Sequence, residues 1–253
     1  MHSEVVQTWQ DAGHLRIDSP NVSDFLQGYL TIECQRLNAS QAQPFAVCNL
    51  KGRVVVNGWA YLSSDAKDGQ GEGSLAAHLI VKADLVERLA SFLAPYLRFA
   101  RGSSQIESCP LVVQKEMQEV SHSASVALFN NWHLVHDADV GSALESDDAS
   151  PAIMRELIDD EFAWVDTNSS ERFLPQMLKL GERGAVDFDK GCYLGQEVVA
   201  RAQFRGAVKR QLQVFQWQGD PPETGAKTDA GLTVVQIAGT DSTNTQGIGL
   251  GVA

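Results

Sequence analysis

Apolar residues recur along this chain with two periods, one typical of strands and the other typical of helices. The segment "FAVCNLKGRVVVNGWAYL" predicts two strands joined by a turn at residues 49–52, where Asn-Leu-Lys-Gly places glycine last. A shorter strand is predicted around residues 15–17, followed by a short helix that ends near Gly28. The segment "KADLVERLASFLAPYL" predicts a helix closed by Pro95, since its apolar residues fall at 85, 86, 89, 92 and 93.

The second half of the chain continues the mixture of helices and strands. Residues 152–166 predict a helix that passes into an extended segment, and residues 184–217 predict strand, turn, helix, turn and strand in that order. The Gly- and Thr-rich tail after Trp217 predicts strands of hairpin type, which must pack on the rest of the chain because a lone hairpin is marginal in water. The alternation predicts a mixed α+β or α/β protein with more than one subdomain.

Composition places the chain among ordinary globular proteins. Its 253 residues are 43% hydrophobic and 21% charged, which is enough to bury one large core or a few smaller ones. The formal net charge of -12 disfavours strong direct binding to nucleic acid, which usually requires a basic stripe. No apolar run reaches the roughly 18 residues of a membrane-spanning helix, and the N-terminal segment lacks the pattern of a signal or transit peptide. We therefore expect a cytoplasmic protein without a membrane partner.

The four cysteines form no Cys-x-x-Cys pair and no other zinc-binding spacing. Free thiols in a reducing compartment are the simplest interpretation. Cys34, Cys48 and Cys109 are predicted to be small buried residues, as unpaired cysteines usually are. No metal site is predicted.

Cys192 stands in a different setting, within the segment "DFDKGCYLGQEVVAR". It precedes a predicted helix, close to the positive end of the helix dipole, and Lys190 adds a cation two residues earlier. Both effects favour the thiolate, so we expect the pKa of Cys192 to lie below the ordinary value of about 8.5. Gly191 and Gly195 allow close approach of the backbone or a positive φ. On these residues alone, Cys192 is a nucleophile, a metal or cluster ligand, or a buried turn residue.

The predicted helix after Cys192 carries a charged face. Glu197, Arg201 and Arg205 follow each other at i, i+4 and i+8, and Glu before Arg is the favourable order, worth about 0.2–0.5 kcal/mol. Such a ladder is typical of a solvated, self-paired helix face. Together with Lys209 and Arg210 it is also the most basic stretch of an acidic chain, so contact with an anionic ligand is the alternative.

These motifs together resemble a known family. The segment "KGCYLGQE" matches every fixed position of the signature Lys-Gly-Cys-(Phe or Tyr)-x-Gly-Gln-Glu of the folate-binding YgfZ family, and "ARAQFRGAVKR" continues the likeness. The segments "FLQGYLT" and "CNLKGRVVVNGWAYL" are similar to the family's N-terminal Gln-Gly-x-x-Thr and Lys-Gly segments. The family is in turn similar to the glycine-cleavage T-protein, a tetrahydrofolate-dependent aminomethyltransferase.

The resemblance implies an α+β fold of the T-protein type, with two interleaved α/β subdomains and a C-terminal β-barrel. Residues 1–50 and 116–205 are expected to form a discontinuous folate-binding subdomain, and residues 51–115 an inserted one. Residues 206–253 are expected to form a barrel that is truncated in this sequence.

The resemblance also implies a function and a site. The family supports the assembly or repair of iron–sulfur clusters in client enzymes such as a tRNA methylthiotransferase, with tetrahydrofolate in a central channel near the signature cysteine. Cys192 is expected to carry the activity, with Lys190, Gln196 and Glu197 around it. The expected partners are iron–sulfur client enzymes and folate. The expected folate-binding residues are Trp164, Gln176, Glu33, Tyr193, Arg201 and Arg205.

A tetrahydrofolate-dependent aminomethyl or one-carbon transferase is the enzymatic alternative. The T-protein positions the folate nitrogen with an Asp, and the matching stretch of this chain offers Asp84, whereas the catalytic register falls nearer Leu89. Two further departures are that Glu33 replaces the Asp of the family's Thr-x-Asp segment and that Trp164 lies only near a family tryptophan position. The Asp register weakens the transferase alternative, and an accessory factor is favoured over a transferase. A folate-dependent regulator without thiol chemistry is the third hypothesis.

Overall fold

The chain divides into two compact units, each assembled from separate stretches of sequence. The computed structural model describes residues 6–64, 75–115, 125–135, 147–206, 208–240 and 243–253. The first unit comprises Met1–Phe25, Gln35–Gln43 and Trp59–Ser150, and the second comprises Leu26–Cys34, Pro44–Gly58 and Pro151–Ala253. The subdomain boundaries expected from the resemblance stay a prediction.

Two sheets build the first unit. One has the strand order β1-β7-β9-β8, and all its pairs are antiparallel. Its strands are β1 (Val6–Trp9), β7 (Leu111–Lys115), β8 (Ser125–Ala127) and β9 (Trp132–Val135). The other has the order β4-β5-β2-β6, to which β4 contributes from residue 59 onward. Its strands are β2 (Ala12–Asp18), β4 (Val54–Ser63), β5 (Ala76–Lys82) and β6 (Ser103–Glu107).

The longest helix of the first unit packs on β2 through a glycine. The α-helices of the described chain, counted over both units, are α1 (Val22–Gln27), α2 (Val86–Phe99), α3 (Ser150–Asp159) and α4 (Gln196–Arg205). The longest helix of the first unit is α2. A Cβ built on Gly13 of β2 would lie 2.8 Å from the Cβ of Val86, so strand and helix are in close contact. The predicted end of this helix at Pro95 is wrong, because α2 continues to Phe99. Pro95 is exposed, so water can satisfy the carbonyl that loses its N–H partner, and buried Leu97 anchors the last turn.

A hairpin starts the core of the second unit. β3 (Gln43–Cys48) pairs with β4, whose residues 54–58 belong to this unit, and the predicted turn between them is confirmed. In that turn the Gly52 N–H donates to the Asn49 carbonyl at 2.8 Å. Buried Asn57 continues the core: its Nδ2 donates to the Ala163 carbonyl at 2.7 Å, and its Oδ1 accepts from the Val165 N–H at 2.9 Å. A buried amide therefore has both its donor and its acceptor satisfied.

The C-terminal region of the second unit forms a three-stranded antiparallel sheet in the order β10-β12-β11. Its strands are β10 (Leu212–Gln218), β11 (Thr233–Gly239) and β12 (Gln246–Val252). The glycines of β12 leave room for aromatic rings of β10. A Cβ on Gly247 would lie 2.5 Å from the Trp217 ring, and one on Gly249 would lie 2.6 Å from the Phe215 ring. The strands predicted for the Gly- and Thr-rich tail after Trp217 are confirmed.

The segment 184–190 forms no strand, so the strand predicted there is wrong. Its backbone is held by contacts to one buried residue instead of a ladder. The Thr31 hydroxyl lies 2.5 Å from the Ala185 carbonyl, and the Asp187 N–H donates to the Thr31 carbonyl at 2.8 Å. These hydrogen bonds attach the segment to the 26–34 stretch through Thr31. Within the described part of the chain, no helix is both long and apolar enough to cross a membrane.

Candidate functional site

The signature segment forms a loop that leads into α4, and Cys192 is exposed on it. Backbone hydrogen bonds fix the loop beyond the cysteine. The Leu194 N–H donates to the Gly28 carbonyl at 2.9 Å, and the Gln196 N–H donates to the Tyr193 carbonyl at 3.1 Å. The structure therefore rejects the interpretation of Cys192 as a buried turn residue and presents its thiol at the surface.

Gly195 caps α4 in a conformation that excludes other residues. Its φ is +83°, in the left-handed region, and a Cβ built on it would lie only 2.3 Å from the Asn49 carbonyl oxygen. The 49–52 turn also contacts the helix, since a Cβ on Gly52 would lie 2.9 Å from the Cβ of Val198. The signature glycine is thus required by the close approach of the β3–β4 turn to the start of α4.

Lys190 is buried and fixes the loop from the inside. Its side chain is 6% exposed, and its ammonium donates to the carbonyls of Gln27 at 2.8 Å and Leu30 at 2.6 Å. The ammonium also lies 5.0 Å from the centre of the Tyr193 ring. Burial lowers the pKa of Lys190, and nearby acidic groups partly offset this effect, among them Cys192. The described contacts make Lys190 a positioning residue for the loop, and its expected catalytic role stays a prediction.

Gln27 links Glu33 to the same stretch. Its Nε2 donates to the Glu33 carboxylate at 3.0 Å, and its Oε1 accepts from the Cys34 N–H at 2.8 Å. The Gln27 carbonyl also accepts a hydrogen bond from Lys190. Gln27 therefore connects the signature loop to Glu33 and Cys34. Sequence reasoning missed Gln27, although the segment "FLQGYLT" was already singled out and contains it.

The cysteines divide into two buried and two exposed thiols. Cys34 and Cys48 are buried, as predicted, and burial raises the pKa of each to about 12. Cys109 is exposed, so its predicted burial is wrong, and it provides a second surface thiol beside Cys192. Among the residues the structure describes, no group of three or more His, Cys, Asp or Glu side chains is placed to hold a metal ion.

The expected folate residues lie in different environments of the second unit. The Trp164 ring is buried, and its Nε1 donates to the Asn57 carbonyl at 3.1 Å. Tyr193 is also buried, which raises the pKa of its hydroxyl. Arg201 and Arg205 are exposed on α4, with Glu197 on the same helix. The structure thus brings Glu33, Lys190 and Tyr193 to the signature loop, and it places Trp164 in the core.

Gln176 lines a groove beside α4. Its Nε2 donates to the Val199 carbonyl at 2.8 Å, which ties the 3-10 turn Pro175–Leu178 to the helix. Its Oε1 is buried and has no hydrogen-bond partner among the described residues. The groove has a volume of about 550 Å³ and is lined by Gln176, Lys179, Gly181, Glu182, Phe188, Ala202, Gln203, Gly206, Val208 and Gln211. Buried acceptors normally have a partner, so a residue of the groove lining whose acceptor lacks one is a candidate contact for a ligand that donates a hydrogen bond.

Comparison with known sequences supports the resemblance. No family model matches the chain. The tRNA-modifying protein YgfZ of Cronobacter sakazakii (strain ATCC BAA-894) is 26% identical over 217 residues, which cover 78% of this chain and 66% of that protein. The tRNA-modifying protein YgfZ of Escherichia coli O157:H7 (strain EC4115 / EHEC) is 27% identical over 233 residues, covering 82% and 70%. The match thus spans about two thirds of the length of these relatives.

The fold has a counterpart among solved structures. The glycine cleavage system aminomethyltransferase T from Bartonella henselae superimposes with a TM-score of 0.66 at 11% identity, covering 98% of this chain and 77% of that one. At this identity the likeness concerns the fold alone. Both the resemblance to YgfZ proteins and the α+β fold of the T-protein type are therefore confirmed.

Of the two signature glycines, Gly195 should be required for stability and Gly191 should tolerate alanine. Gly195→Ala should lower the free energy of unfolding by about 1–3 kcal/mol, because alanine disfavours the positive φ and its Cβ meets the Asn49 carbonyl. Gly191→Ala is the control, since its Cβ would meet Gln27 Nε2 at an ordinary 3.7 Å. Urea denaturation measures both, and equal stability of the two variants would contradict the assignment.

The buried thiols should make the protein less stable at alkaline pH. The pKa of Cys48 is about 12 in the folded protein against 9.0 for a free thiol, so above pH 9 the unfolded state binds fewer protons and gains stability. Each such thiol lowers the free energy of unfolding by up to about 1.4 kcal/mol per pH unit. The pKa of Lys190 is lowered from 10.5 in the folded protein, so below pH 10.5 the unfolded state binds more protons at this residue. Lys190 therefore raises the free energy of unfolding as the pH increases toward 10.5.

Variants compared under reducing conditions separate the effect of the buried thiols on the free energy of unfolding from the opposite effect of Lys190. Cys48→Ala should show a shallower decline than wild type in urea denaturation above pH 9, and Cys109→Ala should follow wild type because that thiol is exposed. A wild-type slope in Cys48→Ala would show that this thiol does not titrate differently in the two states.

Proposed function

We propose that this chain is a cytoplasmic folate-binding accessory protein that supports the assembly or repair of iron–sulfur clusters in client enzymes, including tRNA-methylthiolating enzymes. The observation that carries the proposal is the exposed Cys192 thiol on a loop fixed by Lys190 and Gly195. The similarity to proteins named tRNA-modifying protein YgfZ supports the same role.

The single exposed thiol of the signature loop limits what Cys192 can do. Iron–sulfur clusters take about four thiolate ligands, and the other two thiols of the second unit, Cys34 and Cys48, are buried with their pKa raised. Cluster or sulfur chemistry at Cys192 therefore needs ligands from the client. This favours an accessory role in which the thiol acts on a cluster that the client holds.

Gln176 is the contact in the second unit that we propose for tetrahydrofolate. The pterin ring carries N–H donors, and the buried Gln176 Oε1 is an acceptor without a partner among the described residues. The exposed guanidinium groups of Arg201 and Arg205 offer charge to the carboxylates of the glutamate moiety. Trp164 and Tyr193 are buried and present no open ring face for stacking. When bound, tetrahydrofolate supplies a reduced pterin that carries one-carbon units, and Gln176 would hold and orient it.

Replacement of the signature thiol should abolish the biological activity. In a strain that lacks the endogenous protein, Cys192→Ser should leave tRNA methylthiolation, read by mass spectrometry of the nucleosides, near the level of the empty strain. Cys109→Ser is the matched control, because it removes the other exposed thiol and should restore methylthiolation fully. Full restoration by Cys192→Ser would refute the role of the thiol and favour a regulator without thiol chemistry.

Folate binding should depend on the acceptor of Gln176. Gln176→Met should weaken tetrahydrofolate binding about tenfold, which corresponds to the roughly 1.4 kcal/mol of one hydrogen bond. Gln176→Glu also loses the donor to Val199 but keeps an acceptor, so it should bind more tightly than Gln176→Met. Isothermal titration calorimetry under anaerobic conditions measures the affinity of both variants for tetrahydrofolate. Gln213→Met is the control, because it makes the same substitution at an exposed position of β10. Equal binding by all variants would place folate elsewhere.

A one-carbon transferase is the second candidate, because the signature of this chain resembles a family that is similar to the tetrahydrofolate-dependent T-protein. Such an enzyme would release ammonia and methylene-tetrahydrofolate from an aminomethylated donor. Turnover of that kind by the purified chain, retained in Cys192→Ser, would replace the accessory role with the enzymatic one.

A further inference from the structure

We propose that the exposed face of α4 and the adjoining turn form the docking surface for the client protein, and that the client presents apolar side chains ringed by carboxylates. This inference rests on the proposed function, because it assumes that Cys192 acts on a client. The α4 surface consists of Leu50, Lys51, Val198, Arg201, Phe204 and Arg205, all of which are exposed.

Large apolar side chains are concentrated on this surface. Leu50 is 76% exposed, Phe204 is 71% exposed and Val198 is 37% exposed. Among the described residues of the second unit, the only other large hydrophobic side chain that is exposed is Val214 on β10. The turn that carries Leu50 adjoins Val198 on the helix, and exposed apolar groups that adjoin each other mark interaction sites more often than scattered ones do.

The turn and the helix form one continuous surface next to the thiol. Gly52 and Val198 are in contact across the two elements, and the Asn49 carbonyl lies against Gly195. Along α4, Val198, Arg201 and Arg205 follow at i, i+3 and i+7 and therefore share a face. Phe204 borders that face next to Arg205, and its ring lies edge-on to the Phe188 ring at 6.0 Å between centroids. Cys192 precedes the first residue of α4 by only four positions. A protein bound to the α4 surface would have the thiol at the edge of the interface.

The charge of the surface selects the partner. Lys51, Arg201 and Arg205 bring three cations and Glu197 brings one carboxylate, in a chain whose net charge is -12. A partner with carboxylates around its apolar groups is complementary to this arrangement. Of the three exposed apolar side chains only Phe204 has a ring to stack on bases, whereas Leu50 and Val198 are aliphatic, so the apolar part fits a protein better than RNA. Phe and Arg are also among the residue types enriched at protein–protein interfaces.

A matched pair of double variants tests the docking surface. Phe204→Ser with Arg205→Glu changes the last turn of α4, and Phe99→Ser with Arg98→Glu makes the same change in the last turn of α2, where Phe99 is 90% exposed. Binding of the purified full chain to a purified tRNA-methylthiolating iron–sulfur enzyme is measured by calorimetry in the absence of folate, so that the folate contact proposed for Arg205 does not enter the measurement. The α4 pair should weaken binding at least about tenfold, whereas the α2 pair should bind as wild type does. Thermal melting checks that both variants stay folded.

The outcomes separate this inference from the proposed function. If Cys192→Ser fails to restore methylthiolation while the α4 pair restores it and binds the enzyme fully, the proposed function stands and the docking surface is wrong. If Cys192→Ser restores methylthiolation fully, the proposed function itself fails. Loss of binding to total tRNA in the α4 pair, with enzyme binding intact, would overturn the inference in favour of RNA. A wild-type dimer in sedimentation velocity that the α4 pair dissociates would overturn it in favour of a second copy.

Discussion

The buried ammonium of Lys190 is the interaction on which the candidate site depends. A charged group in the interior is costly unless hydrogen bonds replace its water, and here the carbonyls of Gln27 and Leu30 do so. Because these carbonyls belong to the 26–34 stretch, the cation fixes the signature loop to a segment far away in sequence. Burial of Lys190 thereby holds in place the loop on which Cys192 is exposed.

Burial also separates the thiols of the second unit into two kinds. Cys34 and Cys48 lie in the interior, where the loss of water disfavours the thiolate, and Cys192 lies on the surface. A client can therefore reach one thiol and not the other two. The helix α4 begins four residues further on, and Val198 is the first residue of its exposed apolar and basic face, so the same loop that displays the thiol also leads into the surface proposed for docking.

Local sequence patterns correctly predicted those turns and helices that depend only on residues close together in the sequence. The 49–52 turn and the helix after Gly195 follow from glycine placement and apolar period, and both are confirmed. The strand expected at 184–190 is wrong, because that backbone bonds to Thr31 instead of to a neighbouring strand. The helix end at Pro95 is wrong because the proline is exposed, where solvent can satisfy the carbonyl that loses its N–H partner.

The sequence by itself determined the signature around Cys192, the resemblance to YgfZ proteins and the glycine at the start of α4, because each resides in a few adjacent residues. Only the tertiary structure decided that Lys190 bonds to Gln27, which is 163 residues away, that Cys192 is exposed, and that Trp164 is buried against Asn57. These outcomes depend on which distant segments meet and exclude water. Burial and long-range hydrogen bonding are properties of the packed chain and leave no pattern in any short stretch of it.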